Sequence, residues 1–354
     1  MKKANAAPVS IAEALNDCRG ELMGISAIMI VAFHLFLPVM SDIPVLREIE
    51  EFMSLRGFWG VEVFFLLSGA GLVRSIQTHS LAEFYYRRFK RLFLPYFLIA
   101  LLYFLKGEWT FVTFIKAITG VGFIMGDIHL FLWFVPAITI CYIFFPLYYH
   151  FYKKSRRPVL FAVIVALVFI VVEIIAMNLG FVFHSLLMFR VPTFILGSLI
   201  ADQKDNPHFR LTKKVVIIAI VVMVIGIVLL SGIFPQLILY TYLVSELVGV
   251  PFAILLAALH TQIGKDMILR RAMRFVGKES LELYCLHPYF FNTFAIVYIN
   301  TVLPHYFSSS PNLLINICVL AICIFLGFLL RLLNDGFCKL LDKIVYRKSH
   351  KTEA

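Results

Sequence analysis

Between Gly24 and Met40 the chain reads GISAIMIVAFHLFLPVM, a run with no acid, lysine or arginine that still carries one imidazole, that of His34. A neutral imidazole exchanges its proton near pH 7 and can take one from a hydroxyl, the work of a general base. Four more ionisable side chains fall in comparably apolar runs: Glu62, Glu173, Arg190 and Glu246. A charge in hydrocarbon costs at least a few kcal/mol, so each needs a partner or a task. Each also has a bland reading, as a hydrogen-bonded core histidine or as one half of a charge pair locking two helices, for instance Arg190 with Glu246. A different chemistry stands in FYYRRFKRLFLPYF, residues 84–97, where Arg87, Arg88 and Arg91 cluster. Arg87 and Arg91 share a helix face, and guanidinium forks suit phosphate oxygens. Juxtamembrane arginines also orient helices and touch anionic lipid heads.

The elements that must position these groups are membrane helices. The chain has 354 residues, 61% of them hydrophobic, with mean hydropathy +0.90 and only 15% charged, more apolar surface than a soluble domain can hide. Apolar windows of about 18–22 residues recur along its length, enough to cross roughly 30 Å of hydrocarbon. The expected fold is all-α and polytopic, with about ten spans near 22–40, 57–73, 92–106, 130–150, 158–177, 183–202, 215–232, 238–260, 280–300 and 313–333. About 20 residues including Glu13, Asp17 and Glu21 precede the first span and no small-residue cleavage site follows it, so it reads as a span of the mature protein rather than a signal peptide.

With both termini cytoplasmic, the inside segments collect Arg19, RRFKR, KKSRR, Lys204 to Lys214, the KDMILRRAMRFVGK loop and the tail KIVYRKSHK, whereas the outside holds only Arg47, Arg56, Lys106 and Lys116. Helical rise then places His34, Glu62, Glu173, Arg190 and Glu246 at similar depth in the outer half, as if lining one polar cavity. The segment 111–127, broken by Lys116, Gly120 and Gly122, reads as interfacial or re-entrant. The division expected is a cytoplasmic segment 1–21, a membrane domain 22–333 and a basic cytoplasmic tail 334–354. The formal charge of +11 is spread over separate cytoplasmic edges rather than one stripe, which argues against nucleic acid as a partner. Six scattered cysteines without a CxxC make disulfides and a metal site unexpected.

Six stretches together resemble the acyltransferase-3 family of bacterial integral-membrane O-acyltransferases. LMGISAIMIVAFH is similar to its first-helix pattern, ending in the proposed catalytic histidine, here His34. GVEVFFLLSGAGL resembles the second-helix block, with Phe64, Phe65, Ser68 and Gly69 in place, and FYYRRFKRLFLPY the double-arginine motif. HLFLWFVPA with Trp133, FRVPTFILGSLIA with Gly197, and SLELYCLHP with Tyr284 and His287 follow in the family's order, so the resemblance spans about residues 17–333. One position departs: the family usually carries an arginine eleven residues before the histidine, where this chain has Met23, with Arg19 one turn earlier in DCRG.

The resemblance implies a multi-pass protein of the bacterial inner membrane that transfers an acyl group, commonly acetyl, from cytoplasmic acyl-CoA to a hydroxyl of an envelope polysaccharide or lipid-linked glycan. Acyl-CoA is then a donor substrate, with no permanently bound cofactor. In that frame Arg87, Arg88 and Arg91 would hold the phosphates of coenzyme A and His34 would act as base or acyl carrier. Arg19 takes the place of the family's arginine, Arg190 would meet the oxyanion, and Glu62 or Glu246 would orient the imidazole. His129 and Trp133 would form a sugar platform or an interfacial anchor. His287, before Pro288, would serve the donor channel or cap a carbonyl freed by the proline. Two other classes stay open: a transporter or flippase for a glycolipid or small anion, and a catalytically inactive membrane partner.

Overall fold

The computed structural model of the protein describes residues 8–35, 44–126, 132–180, 185–231, 240–263, 267–291 and 312–352. In chain order the helices are α1 (Ile11–Asp17), α2 (Arg19–Leu35), α3 (Pro44–Arg56), α4 (Gly60–Thr78), α5 (Leu81–Leu105), α6 (Phe111–Ile118), α7 (Val121–Met125) and α8 (Phe134–Lys154). They continue as α9 (Pro158–Asn178), α10 (Ser185–Met188), α11 (Val191–Asp202), α12 (Lys213–Leu230), α13 (Thr241–His260), α14 (Ile268–Lys278), α15 (Ser280–Phe290) and α16 (Asn312–Thr352). No strand occurs among the described residues, apart from an isolated bridge between Ser10 and Arg210. Local sequence accounts for several starts: the Ser80, Thr110 and Thr212 hydroxyls accept from backbone amides three residues on, and Pro158 opens α9 at a position where a missing N–H costs nothing.

Seven of these stretches are long and apolar enough to cross a membrane: Gly57–Thr78, Phe134–Lys154, Pro158–Asn178, Ser185–Asp202, Lys213–Leu230, Thr241–His260 and Ile317–Val345. They match seven of the ten expected spans. Of the other three, α5 has 25 residues but carries the RRFKR cluster, while residues 36–43 and 292–311, needed to complete the first and ninth, lie outside the described residues. Only 11% of the apolar window of α9 and 17% of that of α12 is buried in protein, which is how lipid-facing helices look. Within 111–127, α6 and α7 have 8 and 5 residues, too short to cross hydrocarbon, and are joined at Gly120, whose φ of 74° is left-handed. The stretch 265–278, expected as a loop, is helical over α14, and α16 runs unbroken from its span into the basic tail.

The chain forms two units, one of residues 1–33, 52–79 and 144–278, the other of 34–51, 80–143 and 279–354. In the first, α4 lies against α11 and α13, α12 lies along α13, and α1 closes on α13. Its core joins Leu15 and Leu22 to Val63, Leu66, Ile200, Ala253 and Ala257. Glycines decide the closest crossing: a Cβ on Gly69 would run into the Phe194 carbonyl, and one on Gly197 into the Leu66 carbonyl. The backbones of α4 and α11 therefore touch, the small-residue packing that membrane helices rely on where lipid competes for every apolar side chain. Gly69→Val is expected to abolish monodisperse protein on size-exclusion chromatography; a variant eluting like wild type would show the crossing to be looser than this. In the second unit α15 packs on α16 and α5, and α6 lies on α5, where the Tyr96 hydroxyl donates to the Ala117 carbonyl at 2.8 Å.

Candidate functional site

His34 stands one residue from the end of α2, and in the second unit it meets the imidazole of His287 on α15. His34 Nδ1 and His287 Nε2 are 3.1 Å apart, with ring centroids at 4.8 Å and planes inclined by 47°. His287 is fully buried, His34 only partly. Around His287 stand Tyr284 and Phe291, both edge-on at 5.8 Å, and the Tyr284 hydroxyl accepts from the Phe134 amide. His287 Nδ1 lies 3.0 Å from the Leu283 carbonyl of its own helix. Two imidazoles in hydrogen-bond contact, one of them partly accessible, can take up a proton and share its charge. A carboxylate had been expected to orient His34; the partner of its Nδ1 is an imidazole.

The arginine cluster on α5 divides its tasks. Arg91 grips Glu282 with both terminal nitrogens, Nη2 to Oε2 at 3.0 Å and Nη1 to Oε1 beside it. Asn334 of α16 donates to the same carboxylate at 2.9 Å and to the Arg91 carbonyl at 3.1 Å. Glu282 is fully buried, so a bidentate cation is what such a carboxylate requires. Arg87 bonds Glu83 at 3.0 Å on the exposed side of the same helix, and the Arg88 guanidinium lies 6.0 Å from the Tyr142 ring. The face expected to offer Arg87 and Arg91 to one phosphate group is thus split: the Arg91 fork is engaged by Glu282, while Arg87 stays half-exposed in a weak surface pair.

The first unit holds a separate buried cluster. Arg190 Nε is 3.0 Å from Glu62 Oε1, with side-chain exposures of 1% and 0%. The Ser245 hydroxyl donates to the same oxygen at 2.6 Å, Arg190 Nη1 donates to the Leu186 carbonyl at 2.9 Å, and the guanidinium sits 4.6 Å from the Tyr242 ring. The ion-pair partner of Arg190 is therefore Glu62, where Glu246 had been the example. Glu246, one residue past Ser245, joins the cluster with a buried, unpaired Oε1. Gly249 makes this possible, because a Cβ there would come within 2.6 Å of Glu62 Cβ and push α13 off α4. Of the five ionisable groups expected at one depth, the first unit brings Glu62, Arg190 and Glu246 together, and Glu173 is buried on its α9.

Arg19 begins the helix that carries His34 next to its last residue, and its Nη1 donates to the Leu67 carbonyl of α4 at 2.7 Å. Trp133 is partly buried and its ring centroid is 6.2 Å from that of Phe134; His129 lies outside the described residues. Sequence reasoning missed a further buried group in the first unit, in which Arg270 forks Glu21 through Nε and Nη2, both at 3.0 Å, with Arg274 at 3.8 Å and His260 at 4.0 Å. Arg270 and Arg274 are four apart, a helical spacing visible in the supposed loop. Burial, reinforced by Glu21, pushes the nearby Cys18 thiol up to about 12, so it stays protonated and offers no nucleophile. Among the described residues no group of three or more His, Cys, Asp or Glu is placed to hold a metal ion.

No curated protein matches the chain, and no solved structure does. The family model described as an acyltransferase domain matches residues 22–332, a stretch that carries the His34–His287 pair and the Arg91–Glu282 and Arg190–Glu62 ion pairs, and the chain belongs to this acyltransferase-3 family.

Proposed function

We propose that the protein is an O-acyltransferase with ten spans and both termini in the cytoplasm of a bacterium, moving an acetyl group from cytoplasmic acyl-CoA to a hydroxyl of an envelope polysaccharide or lipid-linked glycan. The observation that carries this reading is the His34–His287 contact inside the family's domain. His34 takes the proton of the acceptor hydroxyl, the oxygen attacks the thioester carbonyl carbon, the C–S bond breaks, and the departing thiolate of coenzyme A takes the proton back from the imidazole. The alternative route, His34 itself carrying the acyl group, differs in leaving an acylated protein when acceptor is withheld. Arg87, half-exposed beside Glu83, and its neighbour Arg88 would meet the phosphates of coenzyme A, guanidinium forks being suited to phosphate oxygens.

Two measurements test this. Coenzyme A titrated into purified protein in detergent should bind, and Arg87→Ala combined with Arg88→Ala should weaken binding by roughly tenfold or more per arginine, the worth of a charge-assisted hydrogen bond. Folded protein that ignores coenzyme A would remove the donor from the scheme. In cells, deletion should lower the O-acetyl ester content of the surface glycans and wild type should restore it; unchanged esters would move a glycolipid or anion transporter to the front.

A further inference from the structure

The hydrogen bonds around His287 determine which nitrogen of His34 is the base. Pro288 has no amide hydrogen, so the Tyr284 carbonyl lacks its usual donor four residues on, and the ring of His287 turns back along α15 to put Nδ1 against the Leu283 carbonyl at 3.0 Å with that of Tyr284 beside it. A carbonyl oxygen only accepts, so the hydrogen of neutral His287 is on Nδ1. Its Nε2 then carries a lone pair, and that nitrogen faces His34 Nδ1 at 3.1 Å. Two lone pairs do not bond, so His34 Nδ1 must be the donor. The neutral His34 ring therefore holds its hydrogen on Nδ1 and its lone pair on Nε2.

We infer that His287 is a positioning residue that locks His34 in the Nδ1–H tautomer, making Nε2 the atom that takes the substrate proton. Free imidazole side chains favour the opposite tautomer, with hydrogen on Nε2, which would leave Nε2 unable to act as a base. The lock has a second effect. When Nε2 takes a proton, His34 becomes an imidazolium whose Nδ1–H points at the His287 lone pair, and the positive charge is met by a hydrogen-bond acceptor inside an apolar wall. The inference rests on the acyl-transfer reading for its purpose, but the tautomer itself can be observed without any turnover.

The experiment is two-bond proton–nitrogen NMR on full-length protein labelled with nitrogen-15 histidine, with His34 and His287 signals identified from His34→Asn and His287→Asn variants. Expected is a protonated Nδ1 and an unprotonated Nε2 at His34, with the same pattern at His287. His287→Asn, whose amide can still reach the Leu283 carbonyl but presents no acceptor to His34, should return His34 to the Nε2–H form and cut kcat by about 10²–10⁴-fold with KM within about twofold. His287→Gln, which places an amide oxygen further out toward His34, should recover the Nδ1–H signature and part of kcat. Wild-type His34 protonated at Nε2 overturns the inference whatever the activity. An Nδ1–H signature in a protein that never transfers an acyl group would uphold the hydrogen-bond chain and sink the functional reading instead.

Discussion

His34→Asn is expected to leave the protein folded and to abolish acyl transfer. An asparagine amide nitrogen falls near the position of Nδ1 and can keep donating to His287, so the buried partner stays satisfied while the base is gone. His34→Ala removes both. Because His287 is fully buried, its orphaned nitrogen should cost about 1–3 kcal/mol of stability in addition to the lost activity. The pair of variants thus separates chemistry from packing. Loss of general-base catalysis alone is worth about 10²–10⁴-fold, and if His34 carries the acyl group the loss is complete. The reading is the O-acetyl content of surface glycans in a deletion strain complemented at equal expression, together with thermal stability of the purified variants. Wild-type ester levels from His34→Asn would make the residue a helix-packing histidine.

Arg190→Met is expected to be the most destabilising single change in the first unit. The guanidinium engages Glu62, the Leu186 carbonyl and the Tyr242 ring, and Glu62 has no exposed surface through which water could compensate its charge. Removing one partner of a buried ion pair costs about 3–5 kcal/mol, chiefly through the charge left behind. Adding Glu62→Gln to Arg190→Met should recover most of that loss, because a neutral amide can still accept from Ser245 without a counter-ion. The quantity to compare is the temperature at which each variant leaves the monomer peak in detergent. If Arg190 instead stabilises an oxyanion, the single variant will keep its stability and lose kcat, and the double variant will stay inactive. The crowding of the guanidinium favours the lock between α4, α11 and α13.

The membrane class and the presence of an imidazole at His34 were legible from local composition, and the family from the resemblance of six motifs in order. An unbroken apolar run is a property of about twenty neighbouring residues, and an imidazole within it stands out without knowledge of any partner. The same held for the glycines of the second- and sixth-span motifs, although why they are glycines became visible only when Gly69 and Gly197 were seen at a backbone contact. Partners were another matter. His34 and His287 are 253 residues apart, as Arg91 and Glu282 are 191, and nothing local to either member names the other. In a soluble protein the polar stripe of a helix would tell which way it faces; here lipid and protein neighbours are both apolar, so an apolar helix carries little record of its own rotation. Sequence alone therefore picked out five ionisable groups within apolar runs, and it passed over Glu282, which the structure buries on α15. Only helix rotation and close crossing decided which of them meet: that Glu62 rather than Glu246 takes Arg190, that Glu282 occupies the Arg91 fork, and that the candidate base is held by a second imidazole.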